Sequence, residues 1–149
     1  MDNEQNNKES ITLVSPLGLS PGLLYSALMT IKPQRIVVLT SSEGENSLDS
    51  IIKQAGYRGY VEVVRVDDPF NCFQQANKKA EEVLNILECT PCVVNLTGGT
   101  TALQFIIQRV GAALENRGCK VDYIALVDRR GVQAQKNDPW VVGELIRVI

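Results

Sequence analysis

Apolar and polar positions along this 149-residue chain switch repeatedly between two periods. Short, nearly continuous aliphatic runs at residues 11–14, 35–39, 61–66, 92–96, 121–127 and 141–149 have the length and composition of strands. Between them lie stretches of helical period at 21–29, 48–55, 70–87 and 101–116. In the third, Phe73, Ala76, Ala80, Leu84 and Leu87 form an apolar stripe, with Lys78, Lys79, Glu81 and Glu82 facing outward. In the fourth, Leu103, Ile106, Ile107, Val110 and Leu114 do the same. Pro33 and Gly118 read as stops after the first and last helices.

Regular alternation of strand and helix predicts an α/β fold: a Rossmann-like, mostly parallel six-stranded sheet with helices on both faces. The ending breaks the pattern. Residues 128–139 carry no helical period, so the last two strands are expected to form an antiparallel hairpin. The polar, Asn-rich residues 1–10 are expected to be disordered, and 11–149 to form one domain. An apolar content of 44% is enough for a real core.

Two strand-to-helix loops carry the chemistry. The strand-like run Val93-Val94-Asn95-Leu96 ends in Thr97-Gly98-Gly99-Thr100-Thr101, and a helix follows at once. Small residues there leave free backbone N–H groups beside the positive end of a helix dipole, which suits phosphate. The first strand similarly runs into Ser15-Pro16-Leu17-Gly18-Leu19-Ser20-Pro21-Gly22 and a helix. In a Rossmann-like order these strands, first and fourth, flank the point where strand order reverses, so the two loops should lie side by side. Taken singly, each loop is also explained as a tight turn with Thr100, Thr101 or Ser20 as a helix cap. The pairing favours a ligand.

Composition then removes whole classes of function. The chain has no histidine, which excludes His-based triads and His–zinc sites. Neither G-x-x-x-x-G-K-S/T nor G-x-G-x-x-G is present, so ATPase, GTPase and NAD-dependent dehydrogenase readings fall away. A net charge of −2 lacks the broad positive field of a DNA or long-RNA binder. No membrane-spanning run or signal peptide is visible, so a cytoplasmic protein is expected, without a metal or cofactor. Its four cysteines, Cys72, Cys89, Cys92 and Cys119, form no disulfide framework and are expected to be reduced. Cys89-Thr90-Pro91-Cys92 lies between a helix end and a strand start, the reverse of the order in redox pairs, and reads as a turn. Asp67-Asp68 reads as a turn and helix cap before a metal site or base. Trp140 and Tyr123 read as core or interface residues.

The two loops, Ser15 to Gly22 and Asn95 to Thr100, resemble the signature loops of CRISPR-associated Rossmann fold (CARF) domains, and the resemblance covers nearly the whole chain. It implies a homodimer that binds a cyclic oligoadenylate across its two-fold axis. A lone domain of this type resembles the ring nucleases of type III CRISPR defence, which cut that messenger; cyclic tetra-adenylate is the ring expected. The implied reaction is attack of a ribose 2′-hydroxyl on the neighbouring phosphate, without metal. Ser15, Arg129, Arg130 and Lys136 are then the candidate catalytic residues. Pro16, Leu17, Gly18, Leu19, Ser20, Asn95, Thr97, Gly98, Gly99, Thr100 and Thr101 are the candidate ligand-binding residues. Many CARF domains carry a lysine directly after Gly-Gly-Thr. Thr101 stands there in this chain, so no lysine role carries over.

Two other readings stay open. One is a sensor or sponge that binds the messenger and leaves it intact. The other is a Rossmann-like enzyme acting on a different phosphorylated metabolite.

Overall fold

The computed structural model describes residues 10–148, so the expectation of a disordered tail falls, Ser10 apart, outside the described residues. Six strands form one sheet: β1 (Thr12–Leu17), β2 (Arg35–Ser41), β3 (Tyr60–Val66), β4 (Cys92–Asn95), β5 (Val121–Val127) and β6 (Glu144–Val148), in the order β3-β2-β1-β4-β5-β6. All neighbours are parallel except β5 and β6, which run antiparallel with Tyr123 opposite Val148 and Val127 opposite Glu144. Strand order reverses between β1 and β4, as expected.

Successive side chains of a strand leave opposite faces of the sheet, and the buried residues obey that period. Val37, Leu39, Val64 and Val66 join one core with the buried stripe of α5 (Thr101–Asn116) and the apolar face of α4 (Ala76–Ile86). Ile36, Val38, Ile124 and Leu126 join the other core with α1 (Gly22–Ile31) and α3 (Leu48–Ala55). The third periodic stretch is shorter than expected as an α-helix: a 3-10 turn at Phe73–Gln75 precedes α4. Helix α5 stops where predicted. Gly118 takes φ +77°, and the Cys119 amide reaches back to the Leu114 carbonyl at 3.0 Å.

Two short helices depart from the sequence reading. Ser41 caps α2 (Ser42–Glu45), its hydroxyl accepting from the Gly44 amide at 3.1 Å. The connection between β5 and β6, expected to be free of helix, contains α6 (Val132–Asn137). None of its residues is buried, so it has no apolar stripe for periodicity to reveal.

Cysteine pairing also corrects the expectation of four reduced thiols. Cys89 and Cys119 form a disulfide, with Cα atoms 5.5 Å apart and a sequence separation of 30. Spacing along the chain gave no hint of it because the pair meets only through the sheet: Cys92 opens β4, opposite Val121 of β5. Cys72 and Cys92 are free and buried, and burial pushes both thiols above their ordinary range. A buried thiol of that kind is a poor nucleophile.

Labelling unfolded protein with a thiol reagent is expected to modify two cysteines without reductant and all four with it. Reduction should cost about 3–4 kcal/mol in urea unfolding, the loop-closure value for a loop of this length. Four reactive thiols in protein never exposed to reductant would remove the disulfide from the structure.

Candidate functional site at the strand-order reversal

The site begins where two strands part. Strand β1 pairs with β4 only over Thr12, Leu13 and Val14, yet with β2 it continues to Leu17. Proline has no N–H to give a ladder, and Pro16 sits where the β4 side of β1 is already unpaired. Ser15 and Pro16 are therefore strand residues, not loop residues.

Side chains bridge the gap that the ladder leaves. The Asn95 Nδ2 donates to Ser15 Oγ at 3.0 Å, and the Ser15 hydroxyl donates to the Pro16 carbonyl at 2.9 Å. Asn95 Oδ1 accepts from the Thr97 amide at 3.0 Å and the Thr97 hydroxyl at 2.6 Å. Thr97 Oγ1 in turn accepts from the Leu126 amide of β5 at 3.0 Å. Ser15 and Asn95 are both 0% exposed. Ser15, Asn95 and the Thr97 hydroxyl, expected from sequence to touch a ligand, bond one another in this structure. They hold three strands in register at the crevice.

Above this network the two loops touch. A Cβ on Gly18 would lie 2.8 Å from the Gly99 Cα, so backbone meets backbone there without room for a side chain. Gly98 and Gly99 have φ of +89° and +73°, the left-handed region that glycine enters without penalty. Gln104 Nε2 pins the turn by donating to the Gly98 carbonyl at 2.9 Å. Thr100 caps α5, its Oγ1 accepting from the Leu103 amide at 3.2 Å while donating to the Pro69 carbonyl. Its hydroxyl is also spent. Among the described residues the amides of Gly98, Gly99 and Thr100 make no hydrogen bond within the protein. They lie beside the first-turn amides of α5, which have no partner four residues back. This is an anion-binding construction made of backbone.

Two adjoining clefts flank the Leu19-Ser20 loop. One, of about 370 Å³, is lined by Leu17, Gly18, Leu19, Ser20, Gly98, Gly99 and Thr100 from the two loops, and by Leu23, Ser41, Glu43, Phe70 and Leu103. The other, of about 330 Å³, is lined by Leu19, Ser20, Leu23, Asp128, Val132 and Lys136. Of the sequence-predicted cations only Lys136 lines either cleft. Arg129 donates to Glu144 at 2.8 Å, and Arg130 forks onto Asp128 at 2.8 and 3.1 Å. Arg130 also holds the Asp128 carboxyl below its ordinary pKa. Thr101 is exposed at the start of α5 and lines neither cleft.

Sequence reading missed Ser41, Glu43 and Phe70. Ser41 ends β2 and caps α2, and Glu43 sits on that four-residue helix, too short to leave a period. Phe70 is 75% exposed, a large aromatic without core to explain it. Asp68 serves the turn as expected, accepting from the Phe70 amide at 3.0 Å. Trp140 packs edge-on to Tyr25 at 5.5 Å between ring centroids, also as expected.

No protein-family model and no curated protein matches this chain. Its fold is shared with solved structures. Can2 from Sulfobacillus thermosulfidooxidans, solved in complex with cyclic tetra-adenylate, superposes with a TM-score of 0.64 at 15% identity, over 78% of this chain and 32% of that one. Protein VC1899 from Vibrio cholerae gives 0.62 at 11% identity, over 78% and 30%. Identities this low show a common Rossmann-like fold. The chain spans about a third of the length of each neighbour.

Asn95→Ala should lower stability by about 2–3 kcal/mol, because it strands the Thr97 and Ser15 groups in the interior. Ser15→Ala should cost about 1 kcal/mol. Urea unfolding measures both, and wild-type stability in Asn95→Ala would break the network's claim to hold the crevice.

Proposed function

We propose that this chain binds a cyclic oligoadenylate as a homodimer and cleaves it, acting as a ring nuclease. The observation that carries the reading is the meeting of Gly18 with Gly99 at the strand-order reversal, which gathers unbonded amides in one place. The fold neighbour captured with cyclic tetra-adenylate supports the choice of ligand. A ring of identical nucleotides has rotational symmetry, so two copies of one chain offer each half the same loops. Leu19 and Val132 favour such a partner: both are apolar, about two-thirds exposed, and flank the crevice.

In this reading the Gly98 to Thr100 amides and the N-terminus of α5 hold phosphate. The Ser20 hydroxyl, exposed and unbonded among the described residues, and Lys136 approach from the other side of the same loop. Cleavage needs no protein nucleophile. A ribose 2′-hydroxyl attacks the adjacent phosphorus in line, the 5′-oxygen leaves, and a cyclic 2′,3′-phosphate forms. The protein holds the reactants in line and stabilises the added charge on the phosphorane, with Lys136 as the cation lining the adjoining cleft. Ser15 acts as a positioning residue through Asn95.

One observation favours the sensor or sponge instead. Arg129 and Arg130 are already committed to Glu144 and Asp128, which leaves little positive charge for a transition state.

Incubation with cyclic tetra-adenylate and, separately, cyclic hexa-adenylate in EDTA tests the proposal. Linear products ending in a cyclic phosphate are expected, with Lys136→Ala slowing the single-turnover rate by roughly 10²-fold, as for loss of one transition-state charge contact. Tight binding with the ring left intact would establish the sensor. Binding of mononucleotides as tightly as the ring would overturn both.

A further inference from the structure

The larger cleft at the Gly-Gly turn contains a feature that phosphate binding does not explain. Its one charged lining residue is a carboxylate, Glu43. The two acids of α2 differ in their surroundings. Glu45 is bonded to Arg65, with Nη2 at 2.6 Å, whereas Glu43 has no ion pair or side-chain hydrogen bond among the described residues. A phosphate placed beside it would be repelled. Its apolar lining, Leu17, Leu19, Leu23, Pro69, Phe70 and Leu103, suits a flat ring. Ser41 adds a second polar group. Its oxygen accepts from the Gly44 amide at 3.1 Å, which leaves its proton to donate.

Resting on the cyclic oligoadenylate reading above, we infer that Glu43 is a specificity-determining residue that reads the exocyclic amine of an adenine seated in this cleft. The amine is a pure donor and the carboxylate a pure acceptor. Ser41, two residues away on the same lining, donates to a ring nitrogen, and Phe70 and Leu19 cover the base faces. The base and its phosphate are thereby sorted: the amides of the Gly-Gly turn face the anion, and the carboxylate faces the neutral ring.

The test compares cyclic tetra-adenylate with the same ring built on purine, in which hydrogen replaces the 6-amino group. Calorimetry on the wild type should show the purine ring binding roughly tenfold to a hundredfold more weakly, the range for losing one hydrogen bond to a charged group. Glu43→Ala should bind both rings alike, at about the wild-type affinity for the purine ring. Glu43→Gln should keep much of the preference, since its amide oxygen still accepts. Equal binding of the two rings by wild type, or an undiminished preference in Glu43→Ala, overturns the assignment and leaves the binding reading intact. If wild type binds neither ring, the binding reading fails and this assignment with it.

Discussion

The hydrogen-bonded chain Ser15–Asn95–Thr97 is the constraint on which the rest of this molecule depends. An α/β sheet normally opens a ligand crevice wherever strand order reverses, because the connections leave in opposite directions. Here the opening starts early, since β1 and β4 stop pairing at Val14 and Val94. Two central strands that part with no ladder between them would leave polar groups stranded in the interior. One amide side chain and two hydroxyls fill that place, and the Leu126 amide ties in β5. Each group in the chain has a partner, which is the condition under which a buried polar network rigidifies its surroundings.

A consequence is that the site's working surface is backbone. Of the hydroxyl-bearing residues at the crevice, Ser15, Thr97 and Thr100 are used to shape it, and the Gly98 to Thr100 amides are left without a partner among the described residues. Helix and loop amides can hold an anion without a net positive charge, a contribution of about 0.3–1 kcal/mol from the helix dipole alone when exposed and up to about 2 when partly buried. That resolves the apparent conflict between a chain of net charge −2 and a phosphate-bearing ligand. Long polyanions, by contrast, draw their affinity from many lysines and arginines spread over a face.

The fold was legible in the sequence to the extent that its elements bury a stripe. Helices α1, α3 and α5 and all six strands announce themselves by period, and the crevice follows from their order. Helices α2 and α6 bury almost nothing and carry no such signal, yet they bring Glu43 and Lys136 to the two clefts. The loops were found as phosphate-type turns, but the work of each hydroxyl was not readable. Ser15 looks like an exposed loop serine until the register shows β1 running on to Leu17. The Cys89–Cys119 disulfide was hidden for the same reason: it depends on which strand ends become neighbours.

Charge placement gives the crevice its polarity. Arg129 and Arg130, the cations most visible in the sequence, are neutralised by Glu144 and Asp128, so they add no net field to the adjoining cleft. Lys136 is left as the cation at one side of the Leu19-Ser20 loop, and Glu43 is left as the anion at the other. A ligand lying across that loop meets a positive end, a stretch of amides and a negative end in turn. A nucleotide has that polarity, with an anionic phosphate at one end and an amine donor on its base at the other. A simple phosphorylated metabolite would satisfy Lys136 and the amides but leave Glu43 unpaired, so the arrangement of charges favours a ligand that carries a base.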